Sequence, residues 1–178
     1  MTTTWTPIAK GLHWLMAALL LGLLALGLYM TDLPLSPEKL LLYSWHKWLG
    51  VSAFLLLWCR LLWRLTHRAP AAPDGLSAGM ARLATLGHLA LYALMLLIPL
   101  SGWLMSSAKG VPTVWFGLWP IPDLLPRDRA LGDALQLVHR ALNYLLMATI
   151  AGHVAAALWH HTVRKDDTLR RMLPARQS

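Results

Sequence analysis

The sequence predicts an all-α membrane protein, a four-transmembrane-helix bundle. Three observations carry the prediction. Of the 178 residues, 57% are hydrophobic and only 13% are charged, which is unusual for a soluble domain. The apolar residues gather into four runs, each near the roughly 20 residues that cross a bilayer as a helix. The charges collect between those runs rather than within them.

The spans follow in order. Span one, near 12–30, reads "LHWLMAALLLGLLALGLYM" and holds no charge. It is too long for the apolar core of a secretory signal, and no small-residue cleavage site follows it, so it is expected in the mature protein. "MTDLPLSPEK" then makes a loop with two prolines. Span two, near 44–63, is the weakest, with Lys47 and Arg60 close to its ends, where both are expected to snorkel toward headgroups. The connector 66–82 is rich in proline, glycine and alanine. Span three, near 83–105, is uncharged, and Pro99 is expected to kink it. The loop 106–133 contains "VPTVWFGLWPIPDLLP" and is expected to cap the bundle at the membrane surface. Span four, near 134–159, carries one charge, Arg140. The whole chain, 1–178, reads as a single domain.

The formal charge of +8 does not point to nucleic acid, because its distribution follows membrane topology. With the N-terminus inside, Lys10, Arg60, Arg64, Arg68, Arg82, Arg164, Lys165, Arg170, Arg171 and Arg176 fall on the inner side. Lys39, Lys47, Lys109, Arg127, Arg129 and Arg140 fall on the outer side, where five acidic residues nearly cancel them. Ten against six places both termini in the cytoplasm by the positive-inside rule. The ten tryptophans sort toward the two ends of the spans, as interfacial belts would.

Chemistry must come from the histidines. Cys59 is the single cysteine, so there is no disulfide framework and no CxxCH for covalent haem attachment. HExxH is absent, and no Asp or Glu lies in any span, which argues against a metalloprotease and against a pump built on buried carboxylates. Seven of the eight histidines lie in or beside spans. Imidazole is the common axial ligand of haem iron. His139 and His153 are 14 residues apart, nearly four turns, so both face one side of span four at about 21 Å separation. That is too far for one metal ion and suits two cofactors at two depths. Matching depth pairs His13 with His153 near the inner surface and His46 with His139 near the outer. The expected bundle therefore encloses two haems b on four axial histidines, His13, His46, His139 and His153.

Other residues surround this set. Arg60 and Arg64, four apart on span two, are candidates for the propionates of the inner haem, though inner helix ends carry such residues for topology alone. Lys47 and Arg140 follow outer ligands and point away from them, toward outer propionates or headgroups. Gly50 lies on the ligand face and leaves room for a porphyrin edge or a helix. His88 has no assigned partner, with quinone contact and a bond to backbone equally open, and His161 reads as an interface anchor.

The chain resembles the bacterial cytochrome b561 family, most closely its short four-helix diheme members. The residues that carry the resemblance are "LHWLMA" at 12–17, "HKWLGVSAFLLLWCRLLWRL" at 46–65, "LGHLALYALMLLIPLSGWLM" at 86–105, "HRALNYLLMATIAGHVAAALWHH" at 139–161 and "KDDTLRRMLP" at 165–174. The family's axial ligands fall on the same four histidines. The resemblance implies an oxidoreductase of the bacterial inner membrane, with lipid around it. It implies oxidation of periplasmic superoxide, electron transfer through the haems and reduction of ubiquinone, with His160 at the quinone contact. The alternative is a general cytochrome b subunit that exchanges electrons with quinol and a redox partner protein, such as a hydrogenase or periplasmic reductase.

Overall fold

The computed structural model describes residues 4–71 and 76–173. Four long helices dominate it: α1 (Pro7–Asp32), α2 (Pro37–Thr66), α3 (Ala78–Ala108) and α4 (Arg129–Trp159). Each is long and apolar enough to cross a membrane, so the chain is a four-helix membrane-spanning bundle. At 1.5 Å per residue the longest reach about 46 Å, well beyond a hydrocarbon core of about 30 Å, which explains why the helices overrun the apolar spans at both ends.

The helix starts are encoded locally. Thr6, Ser36, Ser77 and Asp128 cap the four N-termini, each accepting a backbone N–H three residues on. Pro7 and Pro37 occupy first-turn positions, where the missing N–H costs nothing. α3 continues through Pro99 as one helix. The short link 33–36 makes α1 and α2 antiparallel neighbours, and α3 and α4 form the second closely packed pair.

The inward faces follow a seven-residue period. On α1 the buried residues are Met16, Leu23 and Met30, with His13, Leu20 and Gly27 interleaved three before each. On α2 the set is His46, Gly50, Ala53, Leu57 and Arg60. On α4 the two buried residues are Gly132 and Leu146, and His139, His153 and His160 continue the same row. A 3.5-residue period is the mark of left-handed bundle packing. Met16, Leu57 and Met95 form the fully apolar centre.

The bundle has two distinct ends. Both described chain ends lie at one, together with the α2–α3 connector, and this is the termini end. The hairpin end holds β1 (Thr113–Trp115) and β2 (Trp119–Ile121), which pair antiparallel with Thr113 opposite Ile121. Phe116 and Gly117 at its tip both have positive φ, 50° and 72°, which matches the twist of a tight hairpin.

The tryptophans do more than sort toward the two ends. Five indoles are turned onto protein acceptors and act as staples. At the hairpin end, Trp48 donates to the Val114 carbonyl (2.6 Å), Trp103 to Pro122 (2.8 Å) and Trp115 to Trp48 (3.2 Å). At the termini end, Trp14 donates to Met172 (2.9 Å) and Trp63 to the Thr6 hydroxyl (3.2 Å). Lys47 is also corrected: its ammonium donates to the Val111 and Pro112 carbonyls rather than reaching for headgroups, because the loop folds back within its reach.

Candidate functional site

Two histidine pairs lie in the bundle, one toward each end. The His13 and His153 ring centres are 6.2 Å apart with planes tilted 56°. The His46 and His139 centres are 6.5 Å apart at 82°. Each pair joins α4 to a helix of the other half of the bundle. Between the two levels on α4 stands Leu146, 2% exposed, which lines the same cavity as Met16 and Met95.

The pair at the hairpin end borders this small cavity, of about 60 Å³. Its walls are mainly apolar, with Leu20, Leu24, Met95 and Leu146 beside the two imidazoles. Gly50 lines it, and a Cβ there would meet nothing within 4 Å, so the glycine opens the cavity and does not admit a helix. Two other glycines clear the imidazoles themselves. A Cβ on Gly27 would lie 3.3 Å from His46 Cε1, and one on Gly102 only 3.1 Å from His139 Cε1.

The ring nitrogens are set differently at the two ends. Ser101 donates its hydroxyl hydrogen to the Ile98 carbonyl (2.7 Å), and His139 Nδ1 lies 2.9 Å from that hydroxyl oxygen and 3.1 Å from the carbonyl. Both neighbours are acceptors toward the ring, so Nδ1 carries the hydrogen and Nε2 keeps its lone pair. An acceptor behind the ring gives a metal-bound imidazole this same orientation. His46 Nδ1 is buried without a hydrogen-bond partner.

His13 contrasts with this. Arg60 Nη2 lies 3.0 Å from His13 Nδ1, and a guanidinium can only donate. Nδ1 is therefore the acceptor. Arg60 also reaches the Tyr92 hydroxyl (3.2 Å) and lies over that ring. The expected snorkelling of Arg60 is thus corrected: it is drawn inward because His13 and Tyr92 offer it polar partners. Arg64 instead lies over the Trp5 ring at 4.8 Å. His88, without a partner in the sequence, packs edge-to-face on His153 at 5.4 Å. Its seven-residue spacing from Met95 and Gly102 was the available signal.

His160 ends α4 and opens a π-helical turn (His160–Arg164). Its Nδ1 lies 2.6 Å from Asp166 Oδ2. Sequence reasoning missed Asp166, which sits beyond the last apolar run. Burial pushes the Asp166 carboxyl up, but hydrogen bonds from Thr168 and His160 together outweigh it and hold the group at about 2. Arg176 and Pro174 lie outside the described residues.

A family profile described as prokaryotic cytochrome b561 matches residues 4–175. Cytochrome b561 homolog 2 of Escherichia coli K12 is 35% identical over 173 residues, covering 93% of this chain and 89% of the relative. The probable superoxide oxidase CybB of Yersinia pestis is 31% identical over 132 residues, 74% of each chain. Cytochrome b561 homolog 1 of Escherichia coli K12 is 28% identical over 142 residues, 80% of each.

Proposed function

The chain belongs to the prokaryotic cytochrome b561 family of membrane-embedded oxidoreductases, and from that premise we propose that it is a diheme enzyme that oxidises superoxide at the hairpin end and reduces ubiquinone at the termini end. The observation that carries the proposal is the pair of imidazole separations. An iron between two imidazoles sets ring centres roughly 6 Å apart, from two metal–nitrogen bonds of about 2 Å and about 1 Å from each nitrogen to its ring centre. The two separations, 6.2 and 6.5 Å, lie close to that value and support the reading. The cavity and the glycines at 27, 50 and 102 supply space beside the imidazoles.

In this reading His46 and His139 would hold one haem b and His13 and His153 the other, and the two would supply one-electron chemistry at two depths. Ser101 and Ile98 fix His139 for ligation through Nε2. His13 requires one adjustment: Arg60 must leave Nδ1, which then takes the hydrogen, and the freed guanidinium is placed for a propionate. Arg64 is the second candidate for that role. His160 is placed at the quinone. Both termini are cytoplasmic, so superoxide meets the hairpin end in the periplasm. Superoxide is an anion, and its approach to that end is expected to weaken as salt rises.

The test is stopped-flow mixing of the oxidised holoprotein with superoxide while the haem band is followed. Rapid reduction, followed by reoxidation on adding ubiquinone, supports the proposal. Haems that superoxide leaves oxidised but a quinol reduces would replace it with the electron-transfer subunit of a partner oxidoreductase.

A further inference from the structure

We infer that His160 and Asp166 form a proton-delivering dyad at the termini end, in which Asp166 is a positioning residue that holds His160 in the tautomer able to pass a proton to a quinone oxygen. The inference rests on the proposed quinone reduction at that end.

His160 continues the inward row of α4. It lies seven residues, about 10.5 Å, beyond His153 on the same face, and its side chain is 16% exposed. The α-helix widens into a π-helical turn at this residue, a local irregularity common at functional sites. The His160 carbonyl accepts the N–H of both Lys165 and Asp166. To make that reversal Lys165 takes φ 57° and ψ 31°, left-handed backbone that costs a β-carbon-bearing residue on the order of 1 kcal/mol. The reversal brings the Asp166 carboxylate to His160 Nδ1.

The carboxylate is held independently of the histidine. Asp166 Oδ1 accepts the Thr168 N–H (3.0 Å), and Arg164 Nε stands 3.7 Å from Oδ2. The tail that follows is latched across the bundle: Lys10 Nζ and the Trp14 indole donate to the Leu173 and Met172 carbonyls, and Arg171 donates to Ala71. An ionised carboxylate only accepts, so His160 Nδ1 carries a hydrogen and Nε2 is the nitrogen that exchanges. The same division of labour between a carboxylate and an imidazole orients catalytic histidines elsewhere.

The step balances. Two superoxide ions each give up one electron and leave as dioxygen. The quinone takes both electrons and two protons and leaves as quinol. Each proton leaves Nε2 of the doubly protonated ring, water at the termini end restores it, and Asp166 stays ionised throughout.

The test uses the full-length holoprotein with ¹⁵N-labelled histidine and a short-chain ubiquinone. In the wild type, His160 is expected as the Nδ1–H form whenever it is neutral. Asp166→Asn is expected to show a mixture with the Nε2–H form, because an amide can also donate. In stopped flow, Asp166→Asn and His160→Gln are each expected to slow quinone-driven haem reoxidation by about 100-fold, within the usual worth of a general acid. The double variant is expected to be no slower than either, since the two act as a unit. Haem content and haem reduction by superoxide are expected to stay at wild-type values, and added imidazole to restore part of the rate in His160→Gly. An unchanged tautomer, additive losses, or a slowed rate that tracks haem loss overturns the dyad. Wild-type haems that ubiquinone fails to reoxidise overturn the quinone proposal, and the dyad's role with it.

Discussion

Gly102→Ala separates a ligand histidine from a packing histidine at the hairpin end. In a helix the change alone favours alanine by about 1 kcal/mol. At this site the new Cβ would stand 3.1 Å from His139 Cε1 and 3.4 Å from Nδ1. Ordinary carbon contacts lie at about 3.5–4.0 Å, so the imidazole must retreat by roughly 0.4–0.9 Å. The ring is not free to do so without loss, because Nδ1 is tied to the Ile98 carbonyl and the Ser101 hydroxyl. Metal sites tolerate about 0.2 Å in their bond lengths. The expected result is a protein whose helices melt no earlier than wild type but whose hairpin-end haem is lost or loosely held. Pyridine haemochrome stoichiometry on purified protein reads the occupancy, and circular dichroism melting reads the helices. Gly22→Ala on exposed helix surface, where a Cβ meets nothing within 4 Å, is the control expected to keep both haems. If Gly102→Ala holds two haems with an unshifted spectrum, His139 is not constrained as a ligand must be.

Four further outcomes are expected. His139→Ala removes mainly the haem at the hairpin end and His153→Ala mainly the other, read from the redox difference spectrum; equal loss of both would contradict the two-level arrangement. Gly50→Leu, which projects into the cavity, lowers haem occupancy while leaving the helical content unchanged. Asp166, ionised down to about 2 in the folded chain, stabilises the tail latch above its ordinary carboxylate range near pH 4 and loses that contribution as pH falls toward 2. The effect is on the order of 1 kcal/mol after screening, and limited proteolysis of the tail across that window checks it, with Asp166→Asn expected to abolish the dependence. A reporter fused to the C-terminus is active only in the cytoplasm, and activity only in the periplasm would invert the assignment of ends.

The fold was legible because membrane helices declare themselves by length and apolarity, and because caps and prolines mark their starts. The two histidine pairs were legible by counting, since a straight helix converts sequence separation into depth. What escaped was contact that depends on where the chain turns back. Arg60 on His13, His88 on His153 and Asp166 on His160 join residues 47, 65 and 6 positions apart, and no periodicity within one element reports them. The hairpin at 113–121 was hidden by its proline and by Phe116, a bulky residue in left-handed backbone where asparagine or glycine is usual. The five indole staples were hidden because an interfacial tryptophan and a stapling tryptophan have the same sequence surroundings.

The seven-residue rows also explain how one bundle combines a cavity beside paired histidines with a closed apolar centre. Packing rows on α1, α2 and α4 place methionine and leucine midway along the bundle and histidine and glycine toward its ends. Large flexible side chains close the middle, where Met16 and Leu57 are at most 1% exposed. Histidines then supply donors on either side, and glycine at 27 and 102 lets a neighbouring backbone approach an imidazole directly. The inner surface of α4 is thus one row read at intervals of two turns: glycine, histidine, leucine, histidine, histidine. The last member differs from the other histidines of the row in having a carboxylate partner, Asp166. If the proposed function holds, this one helical row would order three tasks by depth, with electron entry at His139, electron exit at His153 and proton supply at His160.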